Sequence, residues 1–132
     1  MIVGAGIDIV EIARVERALE RRGNRIRERL FTPRERADCE WGGRAGPRFA
    51  LRFAAKEAGM KAIGTGWRRG VGWRDFETTE QDGSLGIEIH GRALDIARER
   101  HFARAWLGAS LTRTHALAHV VLEGPPGGSE PG

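Results

Sequence analysis

Between Pro47 and Gly64 the chain reads PRFALRFAAKEAGMKAIG, an alanine-rich run with apolar side chains at helical spacing and a glycine just past its end. Such a segment predicts a long helix, and one this apolar must be covered by other elements. The rest of the chain supplies them. Met1 to Ile12 carries apolar residues on both faces of an extended segment and predicts a buried strand. Ala13 to Leu30 predicts an arginine-rich helix that stops near Gly23, with a short second helix after it. Thr32, Pro33 and Glu35 have the spacing of a capping box with proline at the first helical position. Two strands, Trp73–Thr79 and Leu85–His90, are joined at Gln81-Asp82-Gly83-Ser84. A helix over Gly91–His101 and closing strands over Ala105–Thr112 and Ala116–Glu123 complete the order. The expectation is α+β: a single domain over residues 1–123, with the long central helix packed on a small mixed or antiparallel sheet and a disordered tail over 124–132.

At 132 residues the chain has room for one ordinary domain. No stretch approaches the roughly 20 apolar residues of a membrane-spanning helix, so no membrane role is expected. Cys39 is the only cysteine, which excludes an internal disulfide or a thiolate metal cluster and fits the cytoplasm. It stands in a charged segment without a neighbouring histidine and reads as a bystander. Lysine and arginine total 22 against 18 acids, giving a net charge of +4 and a pI near 10.5, so an anionic partner is expected.

Two acids are out of place. Asp8 lies between Ile7 and Ile9 in the first strand, and Glu57 shares the direction of Ala50, Phe53 and Ala54 on the long helix, so it is expected to point inward. A buried carboxylate needs a cation. One answer is an ion pair with Lys56, Lys61 or an arginine. The other is a shared hard cation, for which two carboxylates suit Mg²⁺, with Lys61 one turn beyond Glu57 and glycines at 64 and 66 admitting a phosphate.

The segments Gly6-Ile7-Asp8-Ile9-Val10-Glu11-Ile12, Phe31-Thr32-Pro33-Arg34-Glu35 and Arg52-Phe53-Ala54-Ala55-Lys56-Glu57-Ala58, then Lys61-Ala62 and Gly64-Thr65-Gly66, resemble in order and spacing the holo-acyl-carrier-protein synthases. Trp73-Arg74-Asp75-Phe76-Glu77 and Ser110-Leu111-Thr112 extend the likeness almost to Glu123. The resemblance implies a 4′-phosphopantetheinyl transferase-like fold and transfer of 4′-phosphopantetheine from coenzyme A to a serine of an apo acyl carrier protein. It implies Mg²⁺ on Asp8 and Glu57, with Glu57 taking the serine proton, directly or through a water, and Lys61 neutralising charge. Lys61, Gly64, Thr65 and Gly66 then bind the coenzyme. Arg14, Arg17, Arg21 and Arg25, spaced by three, four and four, are the expected docking face for the acidic carrier if the helix runs on through Gly23. A homotrimer and a place in fatty-acid synthesis are implied as well.

The chain departs from the family pattern at Ser110-Leu111-Thr112-Arg113-Thr114-His115, where members usually carry a histidine straight after the threonine position: either Arg113 replaces it, or two residues are deleted and His115 lies in a different register. A second departure is Gly83-Ser84-Leu85-Gly86, where a basic residue and a proline are usual. His90, His101 and His119 lack metal-ligand spacing and read as packing or surface residues. An inactive or scaffolding member of the same fold is one rival reading. A basic nucleic-acid-binding module is the other, and it leaves Asp8 and Glu57 unexplained.

Overall fold

The computed structural model describes residues 1–41, 43–65 and 68–126, with only the backbone of Arg68. The elements run β1 (Ile2–Glu11), α1 (Ile12–Leu30), α2 (Pro33–Glu40), α3 (Ala45–Ile63), β2 (Phe76–Gln81), β3 (Ser84–Ile89), α4 (Gly91–Glu99), β4 (Arg104–Leu111) and β5 (His115–Glu123). β1, β5 and β4 form an antiparallel sheet in that spatial order, and β2 and β3 form a separate antiparallel hairpin. The expected α+β architecture is present, with every described strand pairing antiparallel.

α3 is the hub. It packs on β1 and β5, where Ala116, Ala118, Val120 and Leu122 form the buried face of β5. The alternation of that strand is the period of two that a one-sided sheet requires. A second apolar cluster holds α1 and α2 against α3, with the Phe31 and Phe49 rings 4.8 Å apart and Cys39 fully buried between the helices. Burial pushes the Cys39 thiol up to about 12, in keeping with an unreactive side chain.

Helix limits follow local chemistry. The Thr32 hydroxyl accepts from Glu35 N–H at 3.2 Å, and the Glu35 carboxylate accepts from Thr32 N–H at 2.9 Å, so the expected capping box is closed. Gly23, at φ +61 and ψ −141, interrupts α1 as anticipated. α3 begins at Ala45, ahead of Pro47, because a first-turn residue has no use for its N–H.

Two expectations are corrected. β1 is not buried on both faces: Ile7 and Ile9 are 58% and 61% exposed, and only the Gly4, Gly6, Asp8, Val10 side faces inward. Periodicity alone could not reveal this, because apolar residues on the outer face look the same whether or not another chain covers them. Trp73–Asp75 is a 3₁₀ turn rather than a strand. Asp75 Oδ2 accepts from the N–H groups of Gly72 and Ala93 at 3.2 Å each, and these side-chain bonds draw the backbone out of an extended ladder.

Candidate active site

The inner face of β1 carries two glycines because α3 passes too close for anything else. A Cβ at Gly6 would lie 2.2 Å from the Ala58 carbonyl oxygen, and one at Gly4 would lie 2.4 Å from that of Ala62. This approach sets Asp8 beside the C-terminal half of α3. Lys61 Nζ donates to Asp8 Oδ1 at 2.9 Å and to the Ile7 carbonyl at 3.1 Å. Asp8 and Glu57 line the same cleft of about 410 Å³, together with Glu11 and Arg14 and an apolar floor that includes Phe53. Gly6→Ala is expected to push β1 off α3 and destabilise the fold by about 1–3 kcal/mol, as overpacking does. Urea unfolding measures it, and an unchanged midpoint would refute the close-approach account.

Glu57 therefore does not point into the core. α3 is buried around most of its circumference, and the Phe53–Glu57 stripe is the part that opens on the cleft, where both residues are half-buried. Burial pushes the Glu57 pKa above the ordinary carboxylate value, and the Asp8 charge pushes it further the same way against the pull of Lys61. Two carboxylates thus share one lysine, and that lysine is 55% exposed. The ion-pair reading is realised for Asp8, but one ammonium leaves the pair of acids under-compensated. That deficit, and a donor set of carboxylate oxygens alone, fit a hard divalent cation such as Mg²⁺.

The sign of the pH effect follows. A carboxylate raised in the folded state binds protons more readily than in the unfolded chain, so it lowers stability above its folded pKa. That penalty disappears as pH falls below the ordinary carboxylate value. Glu57→Gln is expected to raise the melting temperature at pH 7.5 in metal-free buffer and to leave it unchanged at about pH 3.5. Equal melting temperatures for variant and parent at both pH values would remove the electrostatic account.

The remaining expected site residues divide. Gly64 caps α3 in the left-handed region at φ +81, and Thr65 follows half-buried. Gly66 lies outside the described residues. All four arginines expected to dock a partner are exposed, but they do not form one stripe, because Gly23 breaks the helix between Arg21 and Arg25. Arg14 reaches the Asp8–Glu57 cleft. Arg21 and Arg25 instead rim an adjoining cavity with Arg22 and Arg29, over the Phe53 and Trp73 rings, whose centroids are 5.1 Å apart. Arg17 lines neither cavity. Arg113 sits in the tight turn between β4 and β5 and borders a groove with Arg44 and Arg48, while His115 opens β5 opposite Glu11.

Two charged clusters escape sequence reasoning. Lys56 pairs with neither Asp8 nor Glu57. It is fully buried, 2.7 Å from Glu35 Oε1, and donates to the carbonyls of Trp73 and Phe76. Glu35 Oε2 accepts the Thr78 N–H and hydroxyl at 2.7 Å each. The available signal was the helical row Phe49, Arg52, Lys56, Ile63, which places Lys56 among core residues. His90, expected to be an ordinary surface or packing residue, joins Glu77 and Glu88 so that one ligand atom from each lies within 4.8 Å of the others. Arg34 already occupies that cluster, 3.1 Å from Glu77 and 3.2 Å from Glu88.

Comparison with known proteins matches this arrangement to one group. A sequence model of the 4′-phosphopantetheinyl transferase superfamily matches residues 4–118. The holo-[acyl-carrier-protein] synthase of Koribacter versatilis is 47% identical over 124 residues, covering 93% of this chain and 99% of that protein. The crystal structure of the Neisseria meningitidis holo-[acyl-carrier-protein] synthase superposes with a TM-score of 0.82 at 35% identity, over 93% of this chain and 99% of that one. A Bacillus anthracis holo-(acyl-carrier-protein) synthase in complex with CoA (3′,5′-ADP) gives 0.76 at 35% identity, over 95% and 99%. With the match running nearly end to end in both sequence and fold, the chain belongs to the holo-[acyl-carrier-protein] synthases of the 4′-phosphopantetheinyl transferase superfamily.

Proposed function

We propose that this chain transfers the 4′-phosphopantetheine group of coenzyme A to a serine of an apo acyl carrier protein and releases 3′,5′-ADP. The observation that carries the reading is the convergence of Asp8 and Glu57 on one cleft, with Lys61 paired to Asp8, in a member of this family. Asp8 and Glu57 would hold Mg²⁺. When bound, the ion supplies Lewis-acid neutralisation of the coenzyme's pyrophosphate oxygens.

Glu57 accepts the proton of the carrier serine, directly or through a water. The serine Oγ–phosphorus bond forms as the phosphorus–oxygen bond to 3′,5′-ADP breaks. Lys61 offsets negative charge on the phosphoryl oxygens, and Gly64, Thr65 and Gly66 bind the coenzyme. Arg14, Arg17, Arg21 and Arg25, joined by Arg22 and Arg29, attract the acidic carrier toward the cleft, with Phe53 and Trp73 as an apolar seat between them.

The outer face of the sheet, with Ile7, Ile9 and Trp106 exposed, packs against neighbouring copies in a homotrimer. Residues 1–123 form the catalytic unit, and the setting is fatty-acid synthesis in the cytoplasm. The test is direct: incubate the protein with Mg²⁺, coenzyme A and an apo carrier, and measure the mass of the carrier. Gain of one phosphopantetheine on its serine is expected. A carrier of unchanged mass, from a protein that also fails to bind coenzyme A, would end this reading.

A further inference from the structure

The loop after α3 is fastened to α4. Arg69, itself left-handed at φ +65, places Nη2 3.1 Å from each oxygen of Glu99. Its carbonyl accepts from Arg92 Nε at 3.0 Å. Farther along, Asp75 joins the Gly72 N–H to the N–H of Ala93 in the first turn of α4. These ties hold the end of α4 against the end of α3, and there the guanidinium of Arg100 lies over Gly64. A Cβ built on Gly64 would stand 2.9 Å from Arg100 Nη2 and 3.2 Å from Nη1. The absent side chain at position 64 therefore does two things: it permits φ +81, and it leaves the space that the guanidinium fills.

Arg100 is exposed, and among the described residues its side chain has no carboxylate partner and no hydrogen bond. A purely structural role is to neutralise the negative end of the α3 dipole. That role normally brings a guanidinium into hydrogen bonding with the last carbonyls of the helix, and no such bond is found among the described residues. The Met60 carbonyl is already taken by the Gly64 N–H at 3.1 Å. Lys61, the neighbouring cation on α3, pairs with Asp8 on the side of the transfer cleft. An unpaired planar fork beside a glycine turn has the shape and charge to receive a phosphate.

We propose that Arg100 is a substrate-binding residue whose guanidinium contacts a phosphate group of coenzyme A at the Gly64–Thr65 turn. The inference rests on the transfer reading above. With intact protein, Mg²⁺ and apo carrier, Arg100→Leu is expected to raise KM for coenzyme A about tenfold, the worth of one charge-assisted hydrogen bond. kcat and KM for the carrier should stay within about twofold, and Arg100→Lys should recover part of the loss. Repeating the series with dephospho-coenzyme A identifies the group: a loss that persists points to the pyrophosphate, and a loss that vanishes points to the 3′-phosphate. Either pattern upholds the contact. An Arg100→Leu protein with unchanged KM for coenzyme A, with or without a lower melting temperature, would overturn it and leave only a helix-end role. Failure of the parent protein to bind or use coenzyme A is a different result, and it removes the transfer reading itself.

Discussion

Asp8→Ala and Glu57→Ala are each expected to lower the rate of phosphopantetheine transfer by on the order of 10³-fold or more, with the fold intact. Both acids lie on the cleft and share one lysine, so removing either takes away half of the anionic donor set proposed for Mg²⁺. Stability should hardly change. The Asp8–Lys61 pair is partly open to solvent, and pairs of that kind contribute roughly 0–1 kcal/mol. Glu57 carries a raised pKa, so its charge is a burden on the fold in metal-free buffer. Transfer rates read beside thermal melts separate the two effects. If both variants turn over within about tenfold of the parent, the metal assignment is wrong.

Lys56→Met should instead cost about 3–5 kcal/mol of stability, the usual result of removing one member of a buried ion pair. In the native chain its ammonium serves three acceptors at once: Glu35 and the carbonyls of Trp73 and Phe76. The Glu35 carboxylate receives four donors, from Thr32, Lys56 and two on Thr78. Burial drives the Lys56 pKa below its ordinary value, and Glu35 pulls it back up. Without the lysine, Glu35 is left as a charge with no access to water. The double variant Lys56→Met/Glu35→Gln should recover part of the loss, since the glutamine needs no counter-ion. Urea unfolding of the two singles and the double gives the coupling energy. A loss under about 1 kcal/mol for Lys56→Met, or strict additivity, would refute the account.

The network explains why Glu57 faces the cleft. Lys56 is anchored inward to α2, β2 and the 3₁₀ turn at 73–75, so the next residue of α3 is turned about 100° away from that anchor. A buried pair that does not line the cleft thereby bears on the orientation of a proposed reacting group.

Much of this was legible beforehand because it depends on neighbours in the chain. The capping box at Thr32–Glu35, the break at Gly23, the Asp82–Gly83 hairpin and the alternation along β5 are all set within a few residues. Asp8 and Glu57 also stood out, as acids in apolar surroundings. What the tertiary structure alone decided was partnership. Lys56 and Lys61 are five residues apart on one helix, and nothing local says that the first reaches Glu35 and the second Asp8. Nor does local pattern say that Ile7 and Ile9 are exposed or that Arg100 rests on Gly64. Sequence period reports which residues share a face; only packing, through close approaches such as β1 on α3 at Gly6, determines what that face meets.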